Sequence, residues 1–209
     1  IAGHTAAMHA RHRLPAAQEV VVVSPNSQWN WIPSNIWVGT GYMKPEQVTF
    51  PLAPVYQKLG IPFHQARAVS VHPDGSPERP KPFVTVEYTS PERQGQTEQL
   101  EYDFLINATG PRLNFGATKG LGPEANSLSV CTYGHAAHTA AALKTSIERM
   151  KRGEPQTLLI GTGHGTCTCQ GAAFEYIFNV EFELRRQGVR DKARLIWISN
   201  EAELGDFGM

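Results

Sequence analysis

One segment, residues 157–175, constrains the fold more than any other part of the chain. It reads Thr-Leu-Leu-Ile-Gly-Thr-Gly-His-Gly-Thr-Cys-Thr-Cys-Gln-Gly-Ala-Ala-Phe-Glu. A short apolar run leads into a turn with alternating glycines at positions 161, 163 and 165, and a segment of helical periodicity follows. The order of strand, glycine turn and helix is typical of the first half of a dinucleotide-binding βαβ unit. The segment therefore predicts an α/β fold in which this turn faces a ligand at the carboxyl end of a sheet.

Two cysteines, Cys167 and Cys169, lie where the glycine turn enters the predicted helix. A helix N-terminus favours anions and lowers the pKa of a thiol, so the position indicates redox chemistry. The alternative is that both are small packing residues, since free cysteine is often buried. We favour chemistry for a Cys-x-Cys pair that follows three glycines. A closed zinc site needs about four ligands, and the one other cysteine is Cys131, so no metal site is predicted.

The composition excludes several classes of function. Nineteen basic and nineteen acidic residues cancel, which leaves no electrostatic case for binding nucleic acid or an anionic membrane. No apolar run approaches the ~20 residues that span a bilayer. The 209 residues suit one large domain, or one and a half smaller ones.

The first residues predict the second half of another dinucleotide-binding unit. The pattern predicts a helix rich in small residues over 1–13 and a buried parallel strand over 19–24. Its first strand would precede Ile1, and Gly3 would be the glycine that permits close packing of helix on strand. An ordinary alanine-rich helix is the alternative. The strand ends in Ser24-Pro25-Asn26 rather than in Asp or Glu, so any contact with a ribose is made by neutral groups.

The middle of the chain predicts a small antiparallel meander between two buried segments. A short helix over residues 48–59 is ended by Gly60, and strands over 61–71, 83–88 and 98–102 follow. The aromatic-rich loop 27–43 suits equally a wall beside a planar ring system and a hydrophobic plug.

A further buried strand is predicted over residues 102–111, ending in Ala108-Thr109-Gly110. A glycine there would let the backbone approach a pyrophosphate or a flavin. A helix over 135–152 then leads to the second unit, with a helix over 170–187 and a strand over 193–199. We therefore predict an α/β protein with two domains, residues 1–153 with the meander at about 68–103, and residues 154–209, truncated at both ends.

At this point the motifs resemble a known family, the flavoprotein disulfide reductases with two Rossmann-like domains and a glutathione-reductase-like fold. More narrowly, the chain resembles sulfide:quinone oxidoreductase and the flavoprotein subunit of flavocytochrome c sulfide dehydrogenase. The resemblance covers essentially the whole chain, which would correspond to the N-terminal half of such an enzyme. The motifs that carry it are Val23-Ser-Pro-Asn26, Pro33-Ser-Asn-Ile-Trp-Val-Gly39, Ala108-Thr-Gly-Pro111, Cys131-Thr-x-x-His135 and Cys169-x-Gly-x-Ala-x-Glu175.

The resemblance implies FAD in the first domain and a catalytic cysteine pair beside the flavin. Cys169 matches the first cysteine of the pair, and the second would lie in the C-terminal half. Cys131 matches an accessory cysteine and His135 a histidine that assists proton movement. The residues implied to bind FAD are Ala2, Gly3, Ser24, Pro25, Ile32, Pro33, Ser34, Ala68, Thr109 and Gly110.

The chain departs from the family pattern at two places. Cys167 has no counterpart, so it is either a bystander or a partner of Cys169 in a strained disulfide, and the turn is one residue longer. Asp206 stands where a histidine is expected.

The resemblance implies oxidation of sulfide to polysulfide or elemental sulfur through a redox-active cysteine. Electrons would pass through the flavin to a membrane quinone, or to a cytochrome c subunit. It further implies peripheral contact with a bacterial inner membrane through the C-terminal half, or a periplasmic location, and is compatible with a homo-oligomer.

Two rival functions stay open at the level of sequence. In a type II NADH:quinone reductase the second glycine turn would bind NADH, and Glu201 would contact a ribose. The other rival is a non-catalytic flavin-binding subunit that relays electrons in a larger complex.

Overall fold

The computed structural model describes residues 1–164, 167 and 169–199. It confirms the predicted mixed α/β class, because helices and strands share both parts of the chain. Contacts divide the chain into two compact units. Unit 1 consists of Ile1–Trp29 and Pro51–Arg112, and unit 2 of Asn30–Phe50 and Leu113–Met209. The predicted domain boundary between residues 153 and 154 stays a prediction.

Unit 1 is built on a four-stranded sheet. Its elements in chain order are α1 (Ala2–Arg13), β1 (Val22–Ser24), α4 (Leu52–Leu59), β4 (Phe63–His72), β5 (Phe83–Tyr88) and β6 (Thr97–Glu101). The strand order is β1-β4-β5-β6. β1 runs parallel to β4, and the remaining neighbours are antiparallel. Ala66 and Val86 are fully buried on one face of this sheet.

The helix α4 begins later than the sequence predicts, at Leu52 instead of residue 48. Pro54 explains the shift, because proline lacks an N–H and is tolerated only in the first turn of a helix. The helix ends as predicted at Gly60, whose φ is +64°. It buries Leu52 and Tyr56 against Ala7 of α1 and Ile61, so one apolar face ties α1 and α4 to unit 1.

The prediction of a buried strand over residues 102–111 is wrong. The segment has no regular structure, and the apolar side chains of Phe104 and Ile106 are 94% and 66% exposed. A buried parallel strand needs a hydrogen-bonded neighbour and cover on its faces. Among the described strands of unit 1 none pairs with this segment, so its apolar run stays extended and uncovered.

Unit 2 contains two helices packed on a parallel strand pair. Its main elements are α2 (Asn35–Gly39), α3 (Pro45–Val48), α5 (Tyr133–Lys151), β7 (Gln156–Gly161), α6 (Gln170–Arg186) and β8 (Ala193–Ile198). Two short strands, β2 (Gln28–Asn30) and β3 (Thr49–Pro51), pair with each other in a separate two-stranded sheet.

The core of unit 2 lies between the helices α5 and α6 and one face of the strand pair. β7 and β8 are parallel, with Leu158 opposite Leu195. Met150 of α5 and Leu184 of α6 are completely buried, and Leu158 and Ile160 pack against the same cluster. The strand, helix and strand thus follow the order that the glycine turn predicts. In the described part of the chain, no helix combines the length and apolar character needed to cross a membrane.

Candidate functional site

The first glycine of the turn in unit 2, Gly161, is required by the neighbouring strand. A Cβ at this position would overlap the carbonyl oxygen of Ile198 on β8. The next residue, Thr162, donates its backbone N–H to the same oxygen at 3.1 Å. The glycine therefore lets the turn close onto the end of β8.

The second glycine, Gly163, is covered by the loop 113–122. A Cβ on Gly163 would overlap the side chain of Leu121. Thr118 donates its hydroxyl to the Gly163 carbonyl at 2.9 Å. No local sequence pattern marks this loop, because both contacts join residues more than forty positions apart.

Cys169 lies at the start of α6, as the sequence predicts. It is the N-cap residue, and its side chain is exposed. Cys167 is half-buried, and its backbone N–H donates to the carbonyl of His164 at 3.0 Å. Both thiols are unpaired. An exposed thiol at the N-terminus of a long helix is accessible to a small anionic reactant.

Cys131 and His135 lie in the same unit, at the start of α5. Cys131 is exposed and precedes the helix. His135 donates its backbone N–H to the side chain of Thr132 at 3.2 Å. Its ring contacts Phe115 edge-on, with centroids 5.7 Å apart. Since Phe115 belongs to the loop 113–122, that one loop contacts both the glycine turn and His135.

Three buried polar atoms near these elements have no hydrogen-bond partner among the described residues. They are Nδ1 of His135, Oγ1 of Thr162 and Nε1 of Trp197. Buried polar groups are nearly always satisfied, so an orphan marks a place where water or a ligand belongs. Among the described residues no three His, Cys, Asp or Glu side chains lie close enough to hold a metal ion.

In unit 1 the structure brings Gly3 next to Ala108. A Cβ on Gly3 would lie 3.2 Å from the Cβ of Ala108. Thr109 donates its hydroxyl to the side-chain oxygen of Asn107 at 3.0 Å, and Gly110 adopts a φ of +72°. The first turn of α1 carries no acidic residue, so this edge is free of repulsion toward a phosphate.

His4, one residue further along α1, belongs to the core and not to this edge. Its Nδ1 is hydrogen-bonded to the hydroxyl of buried Tyr56, and the two rings stack. Burial lowers the pKa of His4 and raises the pKa of Tyr56, so the pair is neutral at pH 7.

Ser24 and Pro25 lie at the carboxyl end of β1. Thr89 donates its hydroxyl to the Pro25 carbonyl at 2.8 Å. Ala68 is exposed on β4, beside an irregularity in the pairing with β5 between Ala68 and Ser70. The predicted adenosine end is thus made of backbone and neutral side chains.

The remaining predicted FAD residues, Ile32, Pro33 and Ser34, form a 3-10 turn of unit 2. The motif that contains them also has a packing role that the sequence did not reveal. Asn35 is buried and exchanges two hydrogen bonds with Asn30, at 3.0 and 3.1 Å. Gly39 accepts a hydrogen bond from the hydroxyl of Tyr176 at 3.1 Å.

An open groove of about 410 Å³ lies elsewhere in unit 2, at the C-terminal ends of α5 and α6. Lys151, Glu183 and Arg186 are among its lining residues. Arg186 pairs with Glu183 at 2.7 Å, and the carboxylate of Glu183 also accepts from Gln187. The groove contains none of the predicted site residues. Glu201 and Asp206 lie outside the described residues.

Comparisons with known proteins agree with the motifs. No family model matches the chain. A sulfide-quinone reductase from Aquifex aeolicus is 31% identical over 209 residues, which are all of this chain and 43% of the relative. The X-ray structure of the sulfide:quinone oxidoreductase from that bacterium superposes with a TM-score of 0.74 at 29% identity, covering 97% of this chain and 42% of the other.

A more distant structure shows the fold alone. The NDH2 of Plasmodium falciparum, solved with NADH, has a TM-score of 0.58 at 16% identity and covers 89% of this chain and 38% of its own. The chain spans less than half the length of each of these proteins. The resemblance inferred from the motifs is confirmed: over its whole length, this chain is similar to part of the sulfide:quinone oxidoreductases.

Proposed function

We propose that the protein is a flavoprotein oxidoreductase that oxidises sulfide and transfers the electrons to a quinone. The observation that carries the proposal is the exposed thiol of Cys169 at the N-terminus of α6. It occurs in a chain that is 31% identical to a sulfide-quinone reductase. The sulfur product is polysulfide or elemental sulfur.

The chemistry needs a thiol that exchanges readily with sulfur. Hydrosulfide attacks a disulfide formed by Cys169 and a second cysteine of the full-length protein. The S–S bond breaks, one cysteine leaves as a thiolate, and the other carries the new persulfide bond. The N-terminus of α6 attracts the approaching hydrosulfide anion. Cys131 and His135 act as an accessory thiol and a proton carrier, the orphan Nδ1 of His135 being the atom that would hold the proton.

The residues of unit 1 fit a bound FAD. The absence of a Cβ on Gly3 lets α1 pack closely on Ala108, as the third glycine of a dinucleotide-binding turn does, and no acid in the first turn of α1 repels a pyrophosphate. Ala2 and Gly3 with Thr109 and Gly110 would hold the pyrophosphate. Ser24, Pro25 and Ala68 would hold the adenosine. That Ile32, Pro33 and Ser34 of unit 2 line the flavin is proposed from the resemblance of their motif alone. When bound, the flavin supplies a two-electron acceptor that passes the pair on to quinone.

The filled turn of unit 2 favours sulfide over NADH as the electron donor. In a dinucleotide-binding turn the second glycine lets the backbone approach the pyrophosphate. Here Leu121 and Thr118 occupy the space over Gly163. Cys167 and Cys169 would add bulk beside it.

The proposal extends to organisation and location. We infer two Rossmann-like domains, residues 1–153 with an inserted antiparallel meander and residues 154–209. The full-length protein contacts the inner membrane of a bacterium peripherally, where it meets the quinone. The alternative electron acceptor is a cytochrome c subunit. A homo-oligomeric state is a further proposal to be tested in solution.

Anaerobic stopped-flow absorbance of the full-length protein tests the proposal. The purified protein is mixed separately with sulfide and with NADH, and the flavin band is followed. We expect bleaching by sulfide, with a long-wavelength charge-transfer band from a thiolate beside the flavin. Bleaching by NADH alone would reject sulfide as the donor, and a protein without a flavin spectrum would reject the proposal altogether.

A further inference from the structure

Thr89, the residue after β5, bonds two separate backbone segments of unit 1. Its hydroxyl lies 2.8 Å from the carbonyl oxygen of Pro25 and 3.2 Å from that of Gln65. Its backbone N–H donates to the Gln65 carbonyl at 2.9 Å. One residue therefore joins the end of β1 to the middle of β4.

The two segments that Thr89 joins carry the predicted adenosine contacts. Ser24 pairs with Gln65 in the parallel register of β1 and β4, so Pro25 extends past the paired part of β1. Ala68 lies three residues beyond Gln65 on β4, or about 10 Å along the strand. Holding Pro25 onto Gln65 therefore sets the spacing between Ser24-Pro25 on one side and Ala68 on the other.

The hydrogen bond from Thr89 matters at the end of β1 because the residues there form few hydrogen bonds among themselves. Pro25 has no N–H with which to continue the ladder. The strand also lacks the carboxylate that usually binds the ribose hydroxyls at this position, since it ends in Ser24-Pro25-Asn26. The nearest local bond, from the backbone N–H of Asn26 to the Ser24 hydroxyl, is long at 3.4 Å.

The residue before Thr89 is anchored firmly. The ring of Tyr88 is buried. Its hydroxyl is hydrogen-bonded to Nδ1 of His64 and donates to Glu98 at 2.6 Å. Arg93 binds the same Glu98 carboxylate at 3.1 Å and lies 3.5 Å above the Tyr88 ring. A satisfied network of this kind holds the end of β5, and Thr89 with it, in one place.

We propose that Thr89 is a positioning residue for the adenosine half of FAD. It fixes the Ser24-Pro25-Asn26 backbone against β4 and so substitutes, through position, for the missing carboxylate. The inference rests on the proposed function for the presence of FAD, and it adds a residue that acts on the cofactor without contacting it.

The test uses the full-length protein with four substitutions. Thr89→Val keeps the shape of the side chain and removes the hydroxyl. Thr89→Ala also removes the hydroxyl and serves if valine disturbs the packing. Thr89→Ser keeps the hydroxyl. Thr85→Val is the matched control, because Thr85 lies on the same strand and no described hydrogen bond uses its hydroxyl. FAD is removed, and the dissociation constants for FAD and for ADP, which carries the adenosine and the diphosphate but no flavin, are measured by fluorescence and calorimetry.

We expect Thr89→Val and Thr89→Ala to raise the dissociation constants for FAD and for ADP by the same factor. That factor is roughly fivefold, which corresponds to the loss of one ordinary hydrogen bond. Thr89→Ser and Thr85→Val should bind like the wild type, and the absorption spectrum of bound flavin should not change. Unchanged binding in Thr89→Val, equal loss in Thr89→Ser, or an altered flavin spectrum would overturn the inference. A wild-type protein that binds ADP or FAD not at all would instead reject the proposed function.

Discussion

Two helices of this chain, α1 in unit 1 and α6 in unit 2, have glycines in their first turn or in the turn before them, and these glycines contact different neighbours. At α1 the position of a Cβ on Gly3 lies 3.2 Å from a single methyl group, that of Ala108. At the turn before α6 the corresponding positions on Gly161 and Gly163 are occupied by the backbone of β8 and by Leu121. Two thiols, those of Cys167 and Cys169, precede the second helix. A glycine pattern in the sequence therefore predicts that another group packs closely against the backbone, but it does not indicate which group.

The largest expected effect concerns the thiols that distinguish α6 from α1. Cys169→Ala should reduce the rate of sulfide-dependent flavin reduction more than about 100-fold in the full-length protein, because the sulfur-accepting thiol is lost. Cys167→Ala, in the same turn, is the control and should keep most of the activity. Anaerobic stopped-flow measures both rates. A near-normal rate in Cys169→Ala, or an equal loss in Cys167→Ala, would show that the roles of the cysteines are assigned wrongly.

The next effect separates the two glycines of the filled turn. Gly161→Ala should destabilise the protein by about 3 kcal/mol, because its Cβ meets the backbone of β8, which cannot shift without breaking the strand pair. Gly163→Ala should cost about 1–2 kcal/mol, since the flexible Leu121 side chain can rotate away.

Denaturant unfolding measures both changes, with Gly171→Ala as the control on α6. A Cβ on Gly171 meets no neighbour, and alanine is the better helix former. The packing explanation requires Gly161→Ala to be the more damaging of the two; the reverse order would contradict it. Combining Gly163→Ala with Leu121→Ala should cost less than the sum of the single changes, because the two side chains compete for one space.

A smaller effect is expected where α6 is tied to α2. Burial raises the pKa of Tyr176, whose hydroxyl donates to the Gly39 carbonyl. Tyr176→Phe should lower the free energy of unfolding by about 1–2 kcal/mol, because a buried carbonyl loses its partner. Tyr133→Phe, at an exposed position on α5, is the control and should change it by less than about 0.5 kcal/mol. Equal changes in the free energy of unfolding for the two variants would show that the hydrogen bond from Tyr176 to Gly39 does not stabilise unit 2.

The smallest expected effect is a pH dependence of stability in unit 1, where Tyr88, Glu98 and Arg93 form a hydrogen-bond network. The hydrogen bond from Tyr88, followed by that from Arg93, lowers the pKa of Glu98 below 4.5. A carboxylate whose pKa is lower in the folded state stabilises the protein above its unfolded pKa, and this contribution disappears as the pH falls through the folded pKa. Glu98 is 38% exposed, so the contribution is about 1 kcal/mol or less.

Urea unfolding of the wild type and Glu98→Gln at pH 7 and pH 3 provides the measurement. The wild type should be the more stable at pH 7, and the difference should shrink at pH 3. Glu87→Gln is the control, because Glu87 pairs with Arg67 on the exposed face of β4 and β5. A difference that is constant with pH would mean that the charge on Glu98 does not contribute.

The elements that depend on local periodicity could be predicted well. The chain places α1, β7, α6 and β8 close to the residues that the sequence indicates, because helical and strand patterns are written in neighbouring side chains. The segment 102–111 shows where such reasoning fails. Its apolar run has the composition of a buried strand, but a strand forms only where a partner is available.

The residues of the candidate sites divide in the same way. The position of Cys169 at the start of α6 could be predicted from the glycine turn before it, and the close packing of Gly3 from its place in a helix rich in small residues. The contacts of Thr118 and Leu121 with Gly163, and the bonds of Thr89 with Pro25 and Gln65, had no signal in the sequence. Threonine and leucine are common in loops, and nothing in their neighbours indicates which distant backbone they contact.

The sequence by itself determined the α/β class, the position of the thiols at the start of α6, and the resemblance to sulfide:quinone oxidoreductases. The tertiary structure decided what fills each glycine turn, why Asn35 and Gly39 occur in their motif, and how the end of β1 is held. The physical reason is the range of the interactions. Periodicity and turn chemistry act within a few residues, whereas packing and hydrogen bonds such as that from Tyr176 to Gly39 join residues 137 positions apart.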